Sequence, residues 1–279
     1  MRRLIKVLLR GDMNMNTMVP SQSMNFMCIS IVIVVLLPRV LLVYYRFRKH
    51  ASILSFFVGC LVMLIFAFVL EQIVHSIVFS SPAGVKIQGN IWMYALYGGL
   101  MAGLFEETGR FLAFKTVLKS KRDNDANALM YGAGHGGFEA IMLLGITMIN
   151  NLTWSILINS GRTDLITDKL SGDALTQAQQ AIQALITTPS YQFILGSVER
   201  VFAIVLQISF SVLVWFAAKK LSRLILYPAA ILLHFIVDAV TAVMSGLGVP
   251  AVIIEVVVGV MAVIIAIIAK SVWNKNKNS

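Results

Sequence analysis

Cysteine and charge are both scarce in this chain of 279 residues, and each scarcity removes a class of protein. Cys28 and Cys60 are the two cysteines, so there is no disulfide framework and no CxxC pair for a structural zinc knot. Charged residues make up 13% of the chain against 58% hydrophobic, and the mean hydropathy is +0.82, which excludes an ordinary soluble domain. GxSxG, HExxH and glycine-rich phosphate loops are absent, as are internal repeats and low-complexity tracts. The inverted halves of many transporters are not visible either.

What is present is a series of long apolar runs, each sufficient to cross a hydrocarbon core of about 30 Å as a helix. A barrel would need alternating strands of about ten residues, and these runs are continuous and too long for that. The expected fold is therefore all-α, a polytopic transmembrane bundle of about seven spans. They lie near Met24 to Tyr45, Ile53 to Phe79, Ile91 to Lys115, Ala126 to Asn151, Phe193 to Ala218, Leu224 to Val243 and Val249 to Val272.

The formal charge of +10 is concentrated in short caps beside these runs and does not form one soluble basic face. It reads as membrane topology, and no nucleic-acid partner is expected. Arg46, Arg48 and Lys49, then Lys119, Lys121 and Arg122, then Lys219, Lys220 and Arg223, and finally Lys270, Lys275 and Lys277 mark four cytoplasmic sides, which places the carboxyl terminus inside. The basic residues Arg2, Arg3, Lys6 and Arg10 conflict with that scheme, and a later start such as Met18 would remove the conflict. The polar stretch Gly11 to Ser23 and the basic end of the first run argue against a secretory signal. The expected organisation is a polar segment 1–23, one transmembrane domain 24–273 and a basic tail 274–279. Within the domain, 159–190 forms an outer insertion whose Leu175, Ala178, Ile182 and Leu185 recur at the spacing of an amphipathic helix.

Ionisable side chains inside a membrane cost about 2.5 to 3.5 kcal/mol each on insertion scales, so each needs a partner, a water-filled cavity or a task. Three spans carry them in pairs spaced i, i+4: Glu106 with Arg110, His135 with Glu139, and His234 with Asp238. Counted from the basic caps, Glu106 lies roughly 20 Å deep, His135 roughly 15 Å and His234 roughly 16 Å, with Gln207 roughly 18 Å deep as a neighbour in the same layer. A second set, Glu71, His75, Glu199, Arg200 and Glu255, counts out nearer the other face. It reads as structural, with Arg200 pairing with Glu71 or Glu199.

For any one pair, ion pairing that fixes helix register is the simpler explanation, but three pairs at one depth argue for a shared polar site. Two adjacent glutamates, two histidines and an arginine supply a general base, electrophilic donors and a charge that keeps one glutamate ionised. In a hydrolytic reading Glu106 activates water, His135 orients it, His234 supports the oxyanion, and Glu107 with Arg110 positions the base. The glycines around His135 read equally well as close helix packing. No cofactor is required, although His135, His234 and Glu106 are an alternative zinc set. A proton- or cation-coupled transporter is the alternative from a different class.

The strings Glu106-Glu107-Thr108-Gly109-Arg110 and Gly134-His135-Gly136-Gly137-Phe138-Glu139-Ala140, followed by Glu199-Arg200 and by His234 with Asp238, resemble in order the YhfC family of bacterial membrane peptidases. By the same resemblance the chain falls within the wider CPBP group of intramembrane glutamic proteases. The resemblance runs from about Met18 to the end. It implies a multi-helix protein of the bacterial plasma membrane that cleaves a membrane-associated protein or peptide with a glutamate-activated water. It also implies Glu106 as catalytic glutamate, Glu107 and Arg110 as its supporting pair, His135 as the water-orienting histidine, and His234 with Asp238 as the oxyanion motif. Two departures from the wider group stand out. Only Thr108 and Gly109 separate the glutamates from Arg110, where three residues are usual, and Asp238 stands where asparagine is common. An ionised aspartate cannot donate to an oxyanion, so Asp238 is expected to orient His234 or to be protonated.

Overall fold

A computed structural model describes residues 18–277, and among these every regular element is a helix. In chain order they are α1 (Ser21–Lys49), α2 (Ile53–Phe79), α3 (Pro82–Gln88), α4 (Ile91–Lys115), α5 (Ala126–Asn159), α6 (Asp164–Thr167), α7 (Gly172–Thr187), α8 (Tyr191–Lys219), α9 (Leu226–Gly246) and α10 (Ala251–Asn276). The basic residues at positions 2 to 10, and the question of a later start, lie outside the described residues.

Among the described residues six helices are long and apolar enough to cross a membrane: α1, α2, α5, α8, α10, and α9 with the turn preceding it. The expected third span forms as α4 with the expected bounds and 25 residues, but it is not among the six. Glu106, Glu107, Arg110 and a set of glycines lower its hydropathy, so the helix richest in polar site residues is the one that composition does not mark as a span. α5 continues beyond the expected end at Asn151 to Asn159, because single amides inside an apolar helix do not stop it.

Local chemistry sets the boundaries of the shorter elements. Ser81 begins α3, its hydroxyl accepting from the Gly84 amide at 3.1 Å, with Pro82 in the first turn where a missing N–H costs nothing. Asn90 begins α4, its Oδ1 accepting from the amides of Trp92 at 3.0 Å and Met93 at 3.1 Å.

The chain divides into two compact units. One comprises residues 18–33 and Leu143–Ser197. Its core joins Met27, Met148, Ile158, Leu185 and Phe193, and the Asn159 amide group bonds both the N–H and the C=O of Val19, at 2.8 and 3.0 Å. In this unit α7 buries Ala178 and Leu185 and half-buries Leu175 and Ile182, the stripe its sequence spacing suggested.

The other unit comprises Val34–Met142 and residues 198–277, with Trp215, Phe114, Tyr131 and Leu118 fully buried at its centre. Its helices approach closely where side chains are missing. A Cβ on Gly134 would stand 2.0 Å from the Phe56 carbonyl oxygen, which brings α5 against α2. A Cβ on Gly136 would stand 2.9 Å from the Gln207 Cβ, which brings α5 against α8, and one on Gly103 would stand 2.8 Å from the Ile231 carbonyl oxygen, which brings α4 against α9. Such small-residue contacts let helices meet without a hydrophobic driving force between them. Gly134→Ala is expected to destabilise the purified protein by about 1–3 kcal/mol in detergent unfolding, because backbone cannot yield as a flexible side chain can. Gly98→Ala, where nothing lies within 4 Å, is the control and should be neutral or slightly stabilising.

Candidate active site

The close approaches of the second unit carry four helices' polar residues to one place. Gly103 lies one turn before Glu106 on α4, so the contact of α4 with α9 sets Glu106 and Glu107 beside His234. Gly132 and Gly136 flank His135 on α5 and both meet α8 around Gln207.

Glu106 is at the centre. Its Oε2 is 3.0 Å from His135 Nε2 and accepts from Gln207 Nε2 at 2.8 Å, while its Oε1 is 4.0 Å from His234 Nε2. His234 is fixed from its other side by Nδ1, 2.8 Å from Glu107 Oε1, while Nε2 also lies 3.4 Å from Asp238 Oδ2. Its ring stacks on Phe210 at 4.8 Å between centroids. Glu107 in turn receives both bonds from Arg110 Nη1, at 2.8 and 2.7 Å, and both residues are 0% exposed. The second Arg110 nitrogen donates to Gln207 Oε1.

Gln207 therefore connects three carboxylates: it bonds Glu106 and Glu139 directly and reaches Glu107 through Arg110. Glu106, Glu139, Gln207, His234 and Asp238 line one cavity of about 120 Å³, together with Glu199 and Arg200. A polar space of this kind has room for water and offers it several partners.

The structure rearranges the pairs inferred from spacing. Arg110 bonds Glu107 rather than Glu106, whose carboxyl is taken by His135 and Gln207. His135 and Glu139 share a face of α5 but find separate partners, Glu106 for the histidine and Gln207 and Arg200 for the glutamate. Arg200 bonds Glu139 at 2.9 Å and also Glu199, so the two sets that depth counting kept apart are joined through Glu139. Glu71 does not pair with Arg200; it bonds His75 at 3.2 Å, and His75 bonds the Tyr97 hydroxyl at 2.9 Å.

Sequence reading missed Tyr131 and Phe210. Tyr131 precedes His135 by four residues and stacks on it at 5.7 Å, with the Arg110 guanidinium 5.9 Å from its ring centroid. The four-residue step was the available signal, but one aromatic in an apolar helix does not distinguish itself from core.

Zinc can be tested against the donors. His135 Nε2, His234 Nε2 and the two Glu106 oxygens face one another, with Asp238 beside them, and two imidazoles with carboxylates are the ligand types that zinc accepts. The donor chemistry fits, although no group of three or more such side chains among the described residues closes on a common metal position.

Comparison with known proteins follows the same residues. The family described as YhfC intramembrane metalloprotease matches residues 33–265, and the chain belongs to this family. It is 38% identical over 219 residues to the uncharacterized membrane protein YhfC of Bacillus subtilis (strain 168), covering 78% of this chain and 83% of that one. No solved structure matches. The protein is thus a multi-helix membrane protein of a family named for proteolysis within the membrane.

Proposed function

We propose that the chain hydrolyses a peptide bond of a membrane-associated protein or peptide in the bacterial plasma membrane, with Glu106 as the base that activates water. The observation that carries this reading is the setting of Glu106. It is a buried carboxylate on a polar cavity, braced by His135 and Gln207 on one oxygen and faced by His234 Nε2 from the other. Among ion pairs that merely fix register, no cavity would be needed.

Glu106 takes a proton from water, and the oxygen attacks the carbonyl carbon of the scissile bond. His135 Nε2 orients the attacking water beside Glu106. The oxyanion that forms is stabilised by donation from His234 Nε2, the ring acting as an imidazolium that stays aimed because Nδ1–H donates to Glu107 at the same time. The proton held on Glu106 passes to the departing amine as the C–N bond breaks. Asp238, beside His234 Nε2, orients that ring when ionised. Glu107 and Arg110 are positioning residues, acting through His234 and Gln207. Kinship with the wider glutamic group rests on motif order alone.

The family's description also supports a metal-dependent form of the same reaction. His135, His234 and Glu106 would hold zinc, which supplies Lewis acidity and an acidified water when bound. The two forms separate cleanly in the purified, reconstituted protein. In the glutamic form, activity survives strong chelation and metal analysis finds well under one zinc per chain. In the metal form, chelation removes activity and zinc restores it. The proteolytic reading itself is tested by comparing peptides in membranes carrying the native protein and Glu106→Gln, where identical profiles would remove it.

A further inference from the structure

A groove of about 470 Å³ runs along the second unit between α1, α5, α8 and α10. Leu37, Leu41, Ile204 and Ile208 give it apolar walls, and along α8 it extends from Val201 to Val212, a rise of roughly 16 Å. That is about half of a hydrocarbon core, the depth of one leaflet.

One end of the groove carries aromatic and basic side chains. Tyr45 near the end of α1 and Trp273 near the end of α10 line it, together with Lys270. Next to them in sequence Arg46, Arg48, Lys49 and Lys275 are exposed, and residues 34–50 and 256–277 contain no acidic side chain. Tyrosine and tryptophan favour the headgroup level of a bilayer, and basic pockets between membrane helices bind anionic headgroups. A second groove of about 520 Å³, between α4 and α9, provides the contrast: Trp92, Phe235 and Met244 line it, but no basic residue does. It can accept hydrocarbon without selecting a headgroup.

We propose that the groove with Lys270 is a binding site for one anionic glycerophospholipid of the bilayer, its acyl chain along α8 and its phosphate at Lys270. α8 is the wall shared with the catalytic cavity, since Leu206, Gln207 and Phe210 project from it into that cavity. The bound lipid therefore braces the helix that holds Gln207 against Glu106.

The test uses the full chain in phosphatidylcholine vesicles that contain brominated phosphatidylglycerol or brominated phosphatidylcholine, read as quenching of tryptophan fluorescence. The tryptophans are Trp92, Trp154, Trp215 and Trp273, and subtracting the signal of Trp273→Phe isolates the one in the groove. Brominated phosphatidylglycerol should quench Trp273 with about fivefold higher apparent affinity than brominated phosphatidylcholine. Lys270→Gln should abolish the preference, and Ala266→Leu, which fills the groove and keeps the base, should weaken quenching by the anionic lipid. Equal quenching by both lipids in the native protein overturns the proposal. A preference that survives Lys270→Gln, or one unchanged in Ala266→Leu, also overturns it, because the basic rim alone would then be gathering lipid.

Discussion

Glu106→Gln is expected to lower peptide-bond cleavage by about 10² to 10⁴-fold while the protein still inserts and folds, the range that a positioned general base contributes. The substitution changes little else. An amide at position 106 has nearly the carboxylate's shape, keeps an acceptor for His135 or Gln207, and still lies 6% exposed on the same cavity wall. What it loses is the ability to take a proton from water. The measurement is product formation in proteoliposomes, normalised to protein shown to be folded by its thermal unfolding. Cleavage within a factor of about three of native would assign the base to another group. The nearest candidates are Glu139, which shares Gln207, and Asp238, which shares His234.

The specificity of this prediction depends on how the site is assembled. Depth counting placed Glu106, His135, Gln207 and His234 in one layer because every helix carries its own ruler of rise per residue, and a basic cap fixes the zero. What it could not supply was azimuth. Which face of α5 meets α8, and so which glutamate Gln207 reaches, depends on Gly132 and Gly136 fitting against that helix. A glycine stripe in the sequence says that something comes close, but not what.

Arg200 shows the same limit from another direction. Its depth suggested a structural set of its own, yet a guanidinium on a long stem reaches along the helix axis, and here it bonds Glu139. α4 marks the limit for composition: its bounds, Ile91 to Lys115, were legible in the sequence, whereas Glu106, Glu107 and Arg110 keep it from the set of helices long and apolar enough to cross a membrane.

Arg110→Met is expected to be the most damaging single change to stability, lowering it by about 3–5 kcal/mol, because it removes the guanidinium from the Glu107 carboxyl and leaves that group with His234 Nδ1 as its remaining bond in a site with no exposure. Arg110 neutralises Glu107 through two bonds and holds the Gln207 carbonyl oxygen with its other nitrogen. Its removal therefore releases both the acceptor that aims His234 and the amide that braces Glu106. Restoring neutrality should recover most of the loss: Arg110→Met combined with Glu107→Gln removes the buried charge while keeping an oxygen for His234 Nδ1. Detergent-solubilised protein unfolded by heat or denaturant gives both values, and the coupling between the two changes is read from the full double-mutant cycle. A strongly favourable coupling means that the ion pair acts as one unit. Additive losses would mean that Arg110 matters chiefly through Gln207, and the support of Glu106 would then run through α8 rather than through α9.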